Sequence, residues 1–156
     1  KEPGEIRVRG SHITVGYLDN IEETNNTFRN GWLYTGDIAY VDDENYVFII
    51  DRVKEMAIVS GFNVFPREVD EALMSHPEIS EAATIALPHK SKGEIIKSFI
   101  KLVSDSQITE DEIKDYCRER LISYKIPSEI EFCAKLAKTP IGKIDKKLLK
   151  KNSINK

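Results

Sequence analysis

The sequence lacks the features by which small secreted, membrane-spanning and zinc-binding proteins are recognised. It has two cysteines in 156 residues, too few for a disulfide framework or a four-thiolate zinc site. No uninterrupted apolar run reaches the roughly 18 residues of a membrane-spanning helix. The first residues also lack the profile of a signal peptide. We therefore expect a reduced, cytoplasmic protein without a transmembrane segment.

The common catalytic motifs are also missing. The three histidines have no partner three or four residues away, so no metal site is indicated. No Gly-x-Ser-x-Gly sequence is present, which argues against a serine hydrolase of that type. Gly142-Lys143 resembles the Gly-Lys pair of a P-loop. Ala137 stands where a P-loop has its first glycine and Ile144 where it has Ser or Thr, so the segment is not a P-loop.

Charge is distributed unevenly along the chain. The formal net charge is −3, yet residues 135–156 contain eight lysines and one acidic residue. A basic terminal segment of this kind is usually a solvated surface, and less often a binding site for an anionic partner. No aromatic residue lies among these lysines, although base stacking on single-stranded nucleic acid would require some.

The first fifty residues predict short strands joined by turns. Glu5–Arg9 alternates polar and apolar residues, as a half-buried strand does. Two apolar runs flank residues 42–45 and predict a hairpin in which Asn45 takes a left-handed turn conformation. The polar residues 20–30 predict a surface loop. Strands without a covering layer indicate that this block is the edge of something larger.

From residue 51 onwards the pattern predicts an α+β unit. Pro66 fits a first helical position, Pro77 ends that helix near Ser75, and Thr109 with Glu112 forms a capping box before the next helix. Cys117 lies on the apolar face of that second helix, so it is better interpreted as core than as a nucleophile. We expect two or three helices on a small mixed sheet, with strands at 56–59, 63–65, 82–87, 95–103 and 130–132 and a short helix at 146–150.

Three places could carry chemistry. Asp37 follows a glycine turn and could accept two hydrogen bonds from a vicinal diol such as ribose, or be a plain turn aspartate. Asp51-Arg52 is either a surface ion-pair cluster or a functional pair, in which Arg52 forms an ion pair with Asp37 or binds a hydroxyl or phosphate. The same two residues are a plausible domain boundary. Lys143, on a Pro140–Gly142 turn, could present a compact positive charge to phosphate or carboxylate oxygens.

These places, in this order, resemble the C-terminal part of the adenylate-forming enzymes, which include acyl- and aryl-CoA synthetases, firefly-type luciferases and the adenylation domains of peptide synthetases. The resemblance runs from about Gly4 to Leu149. The segments that carry it are Gly31–Asp37, which ends in Thr-Gly-Asp, Asp51–Glu55 followed by Ser60–Val69, and Leu136–Ile144.

The resemblance implies a role for each of these residues. Asp37, assisted by Arg52, would hold the ribose hydroxyls of ATP and of the acyl-AMP. Asp51 would be the hinge between a large domain and a small mobile one. Lys143 would stabilise charge while the substrate carboxylate attacks the α-phosphorus, and Ser60-Gly61 would line the channel for CoA. The substrates and cofactors implied are a carboxylic acid, ATP with Mg2+, and CoA; no nucleic acid is expected.

Within this family, Phe62–Pro66 resembles the loop of fatty- and aryl-acid CoA ligases more than that of peptide synthetases. We expect a fragment, inactive alone, in which residues 1–50 are a short all-β tail of the large domain and 51–156 the small mobile domain. An adenylation domain and a luciferase-like enzyme remain alternatives, as does a stand-alone α+β binding module with a basic tail. Two departures are mild: Ala137 replaces a common proline and Asn45 a common turn glycine.

Overall fold

The computed structural model describes residues 2–154 and divides the chain into two units, Lys1–Lys54 and Glu55–Lys156. The division falls a few residues after the border predicted at 50/51. Assignment of the first unit to the tail of a larger domain remains a prediction. None of the helices in the described part of the chain combines the length and the apolarity needed to cross a bilayer.

The first unit is an antiparallel sheet with a central long strand. Strand β3 (Trp32–Val41) pairs with β1 (Gly4–Val8), β2 (Phe28–Arg29) and β4 (Val47–Arg52). The β3–β4 hairpin turns where it was predicted, and Asn45 has a left-handed φ of 66°. A side chain that can bond to its own backbone makes asparagine tolerant of this conformation.

The surface loop predicted for residues 20–30 is wrong, because Ile21–Thr27 forms helix α1 and the first unit is therefore not built of strands alone. The Asn20 side chain accepts a hydrogen bond from the Glu23 backbone N–H at 3.0 Å and so caps the helix. Glu22 and Glu23 place negative charge in the first turn, where the helix dipole favours it. The polar composition correctly indicated exposure, since α1 contains no buried residue. Exposure does not exclude a capped helix.

The second unit is α+β, as expected, and its sheet is mixed. Strands β5 (Ala57–Val59), β6 (Phe62–Val64), β7 (Ile79–His89) and β8 (Gly93–Leu102) pair antiparallel, whereas β9 (Glu129–Phe132) lies parallel to β8. The helices are α2 (Pro66–Met74), α3 (Glu110–Arg118) and α4 (Lys146–Ile154), with a 3-10 turn at Ser123–Lys125.

Helices α2 and α3 begin or end where the sequence predicted. Helix α2 has Pro66 in its first turn and ends before Ser75, and α3 has the capping box of Thr109 with Glu112. The hydrogen bonds that the Thr109 backbone and side chain donate to the Glu112 carboxylate lower its pKa. Cys117 is fully buried in the core, and burial raises the pKa of its thiol.

The core of the second unit lies on both faces of the β7–β8 hairpin. One face packs Ala82, Ala86, Ile96 and Ile100 against α2 and α3, and the other packs Ala83, Ile85 and Phe99 against Leu136 and Leu149. Alternate residues of a strand point to opposite faces, so the continuous apolar runs of β7 and β8 serve both layers. Helix α4 and the chain before it therefore cover the face opposite to α2.

Candidate functional site

In the first unit, Asp37 and Arg52 are directly opposite each other on neighbouring strands of the sheet. Arg52 Nε lies 3.0 Å from Asp37 Oδ1, and Arg52 Nη2 donates to the Thr35 carbonyl at 3.1 Å. The side chains are 61% and 34% exposed, respectively. Within residues 2–154, the second carboxylate oxygen of Asp37 accepts no hydrogen bond, so it is available to hydroxyl donors.

The same β3–β4 pairing buries Asp51. It is 5% exposed, and one carboxylate oxygen accepts the Arg52 backbone N–H at 2.8 Å. Asp51 and Arg52 are the last two residues of β4, and residues 53–56, which belong to no strand, lead into the second unit. Asp51, the hinge residue that the resemblance implies, therefore lies near the end of the β3–β4 pairing, a few residues before the chain divides into its two units.

In the second unit, Ser60 and Gly61 are the two central residues of the β5–β6 hairpin. Their φ angles are 50° and 86°, and positive values at both positions are what a two-residue type I′ turn needs. The Ser60 backbone N–H donates to the Lys92 carbonyl at 2.9 Å. A Cβ atom on Gly61 would meet nothing within 4 Å, so the backbone conformation, and not crowding within the chain, favours glycine there.

Lys143 follows a tight turn that is closed by three backbone hydrogen bonds. Gly142 N donates to Thr139 O at 2.9 Å, Thr139 N to Lys143 O at 2.7 Å, and Asp145 N to Ala137 O at 2.8 Å. The bridge between Lys138 and Ile144 continues this pairing. The backbone of Lys143 is thus fixed while its side chain is exposed, and it forms no ion pair with any residue in 2–154.

Two carboxylates hold the segments on either side of this turn, and the sequence analysis identified neither. Lys146 Nζ donates to Asp70 Oδ2 at 2.8 Å, and Lys138 Nζ lies 2.8 Å from Glu81 Oε2. Burial raises the pKa of Asp70, opposed by the charge and hydrogen bond of Lys146. Hydrogen bonds from Lys138 and Lys101 lower the pKa of Glu81.

The structure thus groups the predicted residues into separate sets. Asp37, Arg52 and Asp51 lie together in the first unit, whereas the Ser60-Gly61 turn and Lys143 belong to the second. One signal in the sequence could have indicated an acidic partner for Lys146, although not which residue it is: Lys146 occupies the first position of a helix, where a cation needs a compensating acid. No comparable feature of the sequence indicated Glu81 as the partner of Lys138. Among residues 2–154, no group of three or more acidic, histidine or cysteine side chains could hold a metal ion.

The sequence was compared with protein-family models and with known proteins, and both comparisons point to the same family. Residues 68–143 match the family model of the AMP-binding enzyme C-terminal domain. The chain is 42% identical over 143 residues to a long-chain-fatty-acid–CoA ligase of Escherichia coli O157:H7, covering 92% of this chain and 25% of that protein. It is 43% identical over 150 residues to 4-coumarate-CoA ligase 1 of Narcissus pseudonarcissus, covering 96% and 27%.

Among solved structures, o-succinylbenzoate CoA synthetase of Bacillus subtilis, in complex with its acyl-adenylate intermediate OSB-AMP, superposes with a TM-score of 0.86. The identity is 34%, and the match covers 96% of this chain and 30% of that one. The chain thus spans about a quarter of the length of the curated relatives it matches. It belongs to the adenylate-forming enzymes of the acyl-CoA synthetase type, as a C-terminal part of such an enzyme.

Proposed function

We propose that the chain forms part of an ATP-dependent carboxylic acid–CoA ligase that makes an acyl-AMP and then an acyl-CoA, with a fatty or aryl acid as substrate. The observation that carries this proposal is Lys143, an exposed cation without an ion-pair partner in residues 2–154, on a turn of fixed backbone. Lys143 is also the last residue of the family match.

In the first half-reaction, the substrate carboxylate attacks the α-phosphorus of ATP and pyrophosphate leaves. Negative charge accumulates on the phosphate oxygens, and a fixed cation stabilises it with little reorganisation. Lys143 fits this role because its ammonium is not neutralised within the described chain and its backbone is held by the hairpin. Mg2+ would arrive with ATP, since the described residues include no cluster to bind it by themselves.

Asp37 and Arg52 are proposed to bind the nucleotide. The carboxylate oxygen that Arg52 does not engage has the acceptor capacity for the ribose hydroxyls, and Arg52 fixes the orientation of the carboxylate. Asp51, buried at the end of β4, is proposed as the hinge. Rotation there would exchange Lys143 for the Ser60-Gly61 turn between the two half-reactions.

In the second half-reaction, the thiol of CoA attacks the acyl-AMP carbonyl and AMP leaves. The open space beside Gly61 supports a place for the phosphopantetheine arm, because no atom of residues 2–154, other than Gly61 and its two chain neighbours, lies within 4 Å of a Cβ built there. The remaining partner is the large domain that contributes the rest of the site, and the chain alone is expected to be inactive. A cytoplasmic location is proposed with it, consistent with two free cysteines.

The alternative function, a stand-alone binding module that uses the basic segment 135–156 to bind nucleic acid, is weakened by the ion pairs of that segment. Lys138 and Lys146, two of its eight lysines, bind Glu81 and Asp70 of the same unit and so serve the fold. We do not expect salt-dependent binding of nucleic acid.

The decisive experiment replaces Lys143 by alanine in the complete enzyme that contains this chain. The rate of acyl-AMP formation, measured as pyrophosphate release without CoA, should fall by about 100- to 1000-fold, the loss typical of removing one charge-stabilising group. Thioester formation from supplied acyl-AMP should not change. Lys147→Ala, which removes an exposed lysine from the same segment, is the matched control and should leave both rates intact. Equal losses in both half-reactions would refute the role of Lys143.

A further inference from the structure

Helix α4 begins with a residue that is electrostatically unfavourable for its position. Lys146 is the first residue of α4, and Lys147 follows it, with no acidic residue in the first turn. The N-terminus of a helix carries partial positive charge, so a cation there is unfavourable unless an anion compensates. Asp70 is the nearer of two acidic partners of Lys146, with its Oδ2 atom 2.8 Å from Lys146 Nζ, and Glu55 Oε2 lies 3.6 Å from the same atom.

Asp70 links three elements of the second unit. It belongs to α2, which packs on one face of the β7–β8 hairpin, whereas α4 packs on the other. Its Oδ1 atom accepts the Thr84 backbone N–H at 2.6 Å, and β7 is the terminal strand of the described sheet. The Asp70 carboxylate therefore accepts a hydrogen bond from the backbone of β7, the edge strand, and also binds α4, which packs on the opposite face of the sheet from α2.

The anchored end of α4 is only three positions from Lys143. Between them, Asp145 accepts the Leu148 backbone N–H at 3.0 Å as a helix cap, and its own N–H bonds to the Ala137 carbonyl. Ile144 packs against the core cluster that contains Leu149. Because this connection is only two residues long and Asp145 is bonded through both its N–H and its carboxylate, the position of Lys146 constrains the direction in which the turn presents Lys143.

The other side of the turn is held more weakly. Lys138 is bound by Glu81, but the Lys138 side chain is 45% exposed, compared with 26% for Lys146 and 17% for Asp70. Exposed ion pairs contribute little because solvent screens them, and this screening weakens as the two charges are withdrawn from water. The Asp70–Lys146 pair is therefore the stronger constraint on the turn.

We propose that Asp70 is a positioning residue for acyl-AMP formation, which acts through Lys146 to hold the Lys143 turn in the orientation that the reaction needs. This inference rests on the proposed function, since it requires that Lys143 act in the first half-reaction. Asp70 touches no reacting group, and its effect is confined to the step that uses Lys143.

The test is Asp70→Asn in the complete enzyme. Asparagine keeps the size of the side chain and an oxygen acceptor for the Thr84 N–H, but loses the nearer of the two charges that bind Lys146 and leaves only Glu55 at 3.6 Å. The kcat of acyl-AMP formation should fall about tenfold to 100-fold, since misplacement by about 1 Å costs up to that much. Thioester formation from supplied acyl-AMP should be unchanged. Lys146→Met should reproduce this loss and Lys146→Arg should restore most of the rate.

A matched control comes from the same helix. Glu68, two residues before Asp70, binds Lys125 of the 3-10 turn at 2.6 Å, and this pair does not touch the Lys143 hairpin. Glu68→Gln should slow neither half-reaction selectively. The double variant Asp70→Asn/Lys143→Ala should form acyl-AMP no more slowly than Lys143→Ala alone, because Asp70 has no other route to the reaction.

The possible outcomes separate this inference from the function on which it rests. If Lys143→Ala leaves acyl-AMP formation intact, the proposed function fails. If Lys143→Ala abolishes that step and Asp70→Asn does not affect it, only the positioning role fails. Equal losses in both half-reactions for Asp70→Asn, or a further loss in the double variant, also overturn it. If Asp70→Asn does not fold, Lys146→Met against Lys146→Arg provides the same comparison.

Discussion

Two glycine turns of the second unit, at Ser60-Gly61 and before Lys143, are held by different kinds of interaction. Hydrogen bonds hold the Ser60-Gly61 turn, through the β5–β6 hairpin, the bond from Ser60 N to Lys92 O and the bond that Ile58 N of β5 donates to Glu94 Oε2 at 2.7 Å. The turn before Lys143 has its own backbone bonds, but its flanking segments are attached by the Asp70–Lys146 and Glu81–Lys138 ion pairs. Ion pairs with residues distant in sequence thus attach the turn before Lys143, whereas hydrogen bonds from the backbone attach the Ser60-Gly61 turn. The two turns should therefore fail in different ways.

Among variants of these two turns, Gly61→Val is expected to have the largest effect on one half-reaction relative to the other. A β-branched residue is a severe outlier at a φ of 86°, and its side chain would enter the open space beside the turn. Thioester formation should fall by about 100-fold, as expected for misplacement near 1 Å, while acyl-AMP formation should persist. Both rates are measured in the complete enzyme.

Gly31 offers a control with the same backbone strain. Its φ is 77°, and a Cβ atom there would also meet nothing within 4 Å, but it lies in the β2–β3 turn of the first unit. Gly31→Val should not slow the thioester step selectively. A selective loss with Gly31→Val would mean that strain alone, and not the location of Gly61, explains the result.

An intermediate effect is expected from Gly142→Ala. The left-handed conformation costs a non-glycine residue roughly 1–2 kcal/mol, and no atom lies within 4 Å to add a clash. Hydrogen exchange of the Thr139 and Asp145 amides should accelerate by about tenfold, because about 1.4 kcal/mol of local stability corresponds to that factor. Acyl-AMP formation should slow and thioester formation should not. Unchanged exchange at both amides would show that the turn does not depend on Gly142.

The smallest effect is expected from Glu81→Gln. Lys138 and Lys101 lower the pKa of Glu81, so its ionised form stabilises the folded state above the unfolded pKa near 4.5. That contribution is lost as the pH falls through the lower pKa of the folded state. Hydrogen exchange of residues 136–149 should be slightly faster in the variant at pH 6, and the difference should vanish in acid. A difference that grows in acid would contradict the assignment.

The sequence predicted most of the fold because its signals were local. Pro66, the Thr109 capping box and the turn at Asn45 act within a few residues of themselves, and the structure has all three as expected. Helix α1 was missed because the polar composition of residues 20–30 was weighed above the capping signal of Asn20 with Glu22 and Glu23. That signal was present in the sequence.

The candidate site was predictable only in part. The motifs supplied Asp37, Arg52, Asp51, Ser60, Gly61 and Lys143, and their roles remain proposals. The structure added the pairing of Asp37 with Arg52 and the two carboxylates that anchor the Lys143 turn. Asp70 lies far from Lys146 in sequence, so no local pattern could connect them.

The sequence by itself determined which residues are candidates for the site, because turn glycines, a lysine after a turn and a Thr-Gly-Asp segment depend on residue type and short spacing. Only the tertiary structure decided which lysines stay available. Lys138 and Lys146 are paired by acids that the packing of α2 and β7 brings to them, whereas Lys143 remains exposed. The physical reason is that an ion pair requires two charges within a few ångströms, and only folding brings distant residues that close.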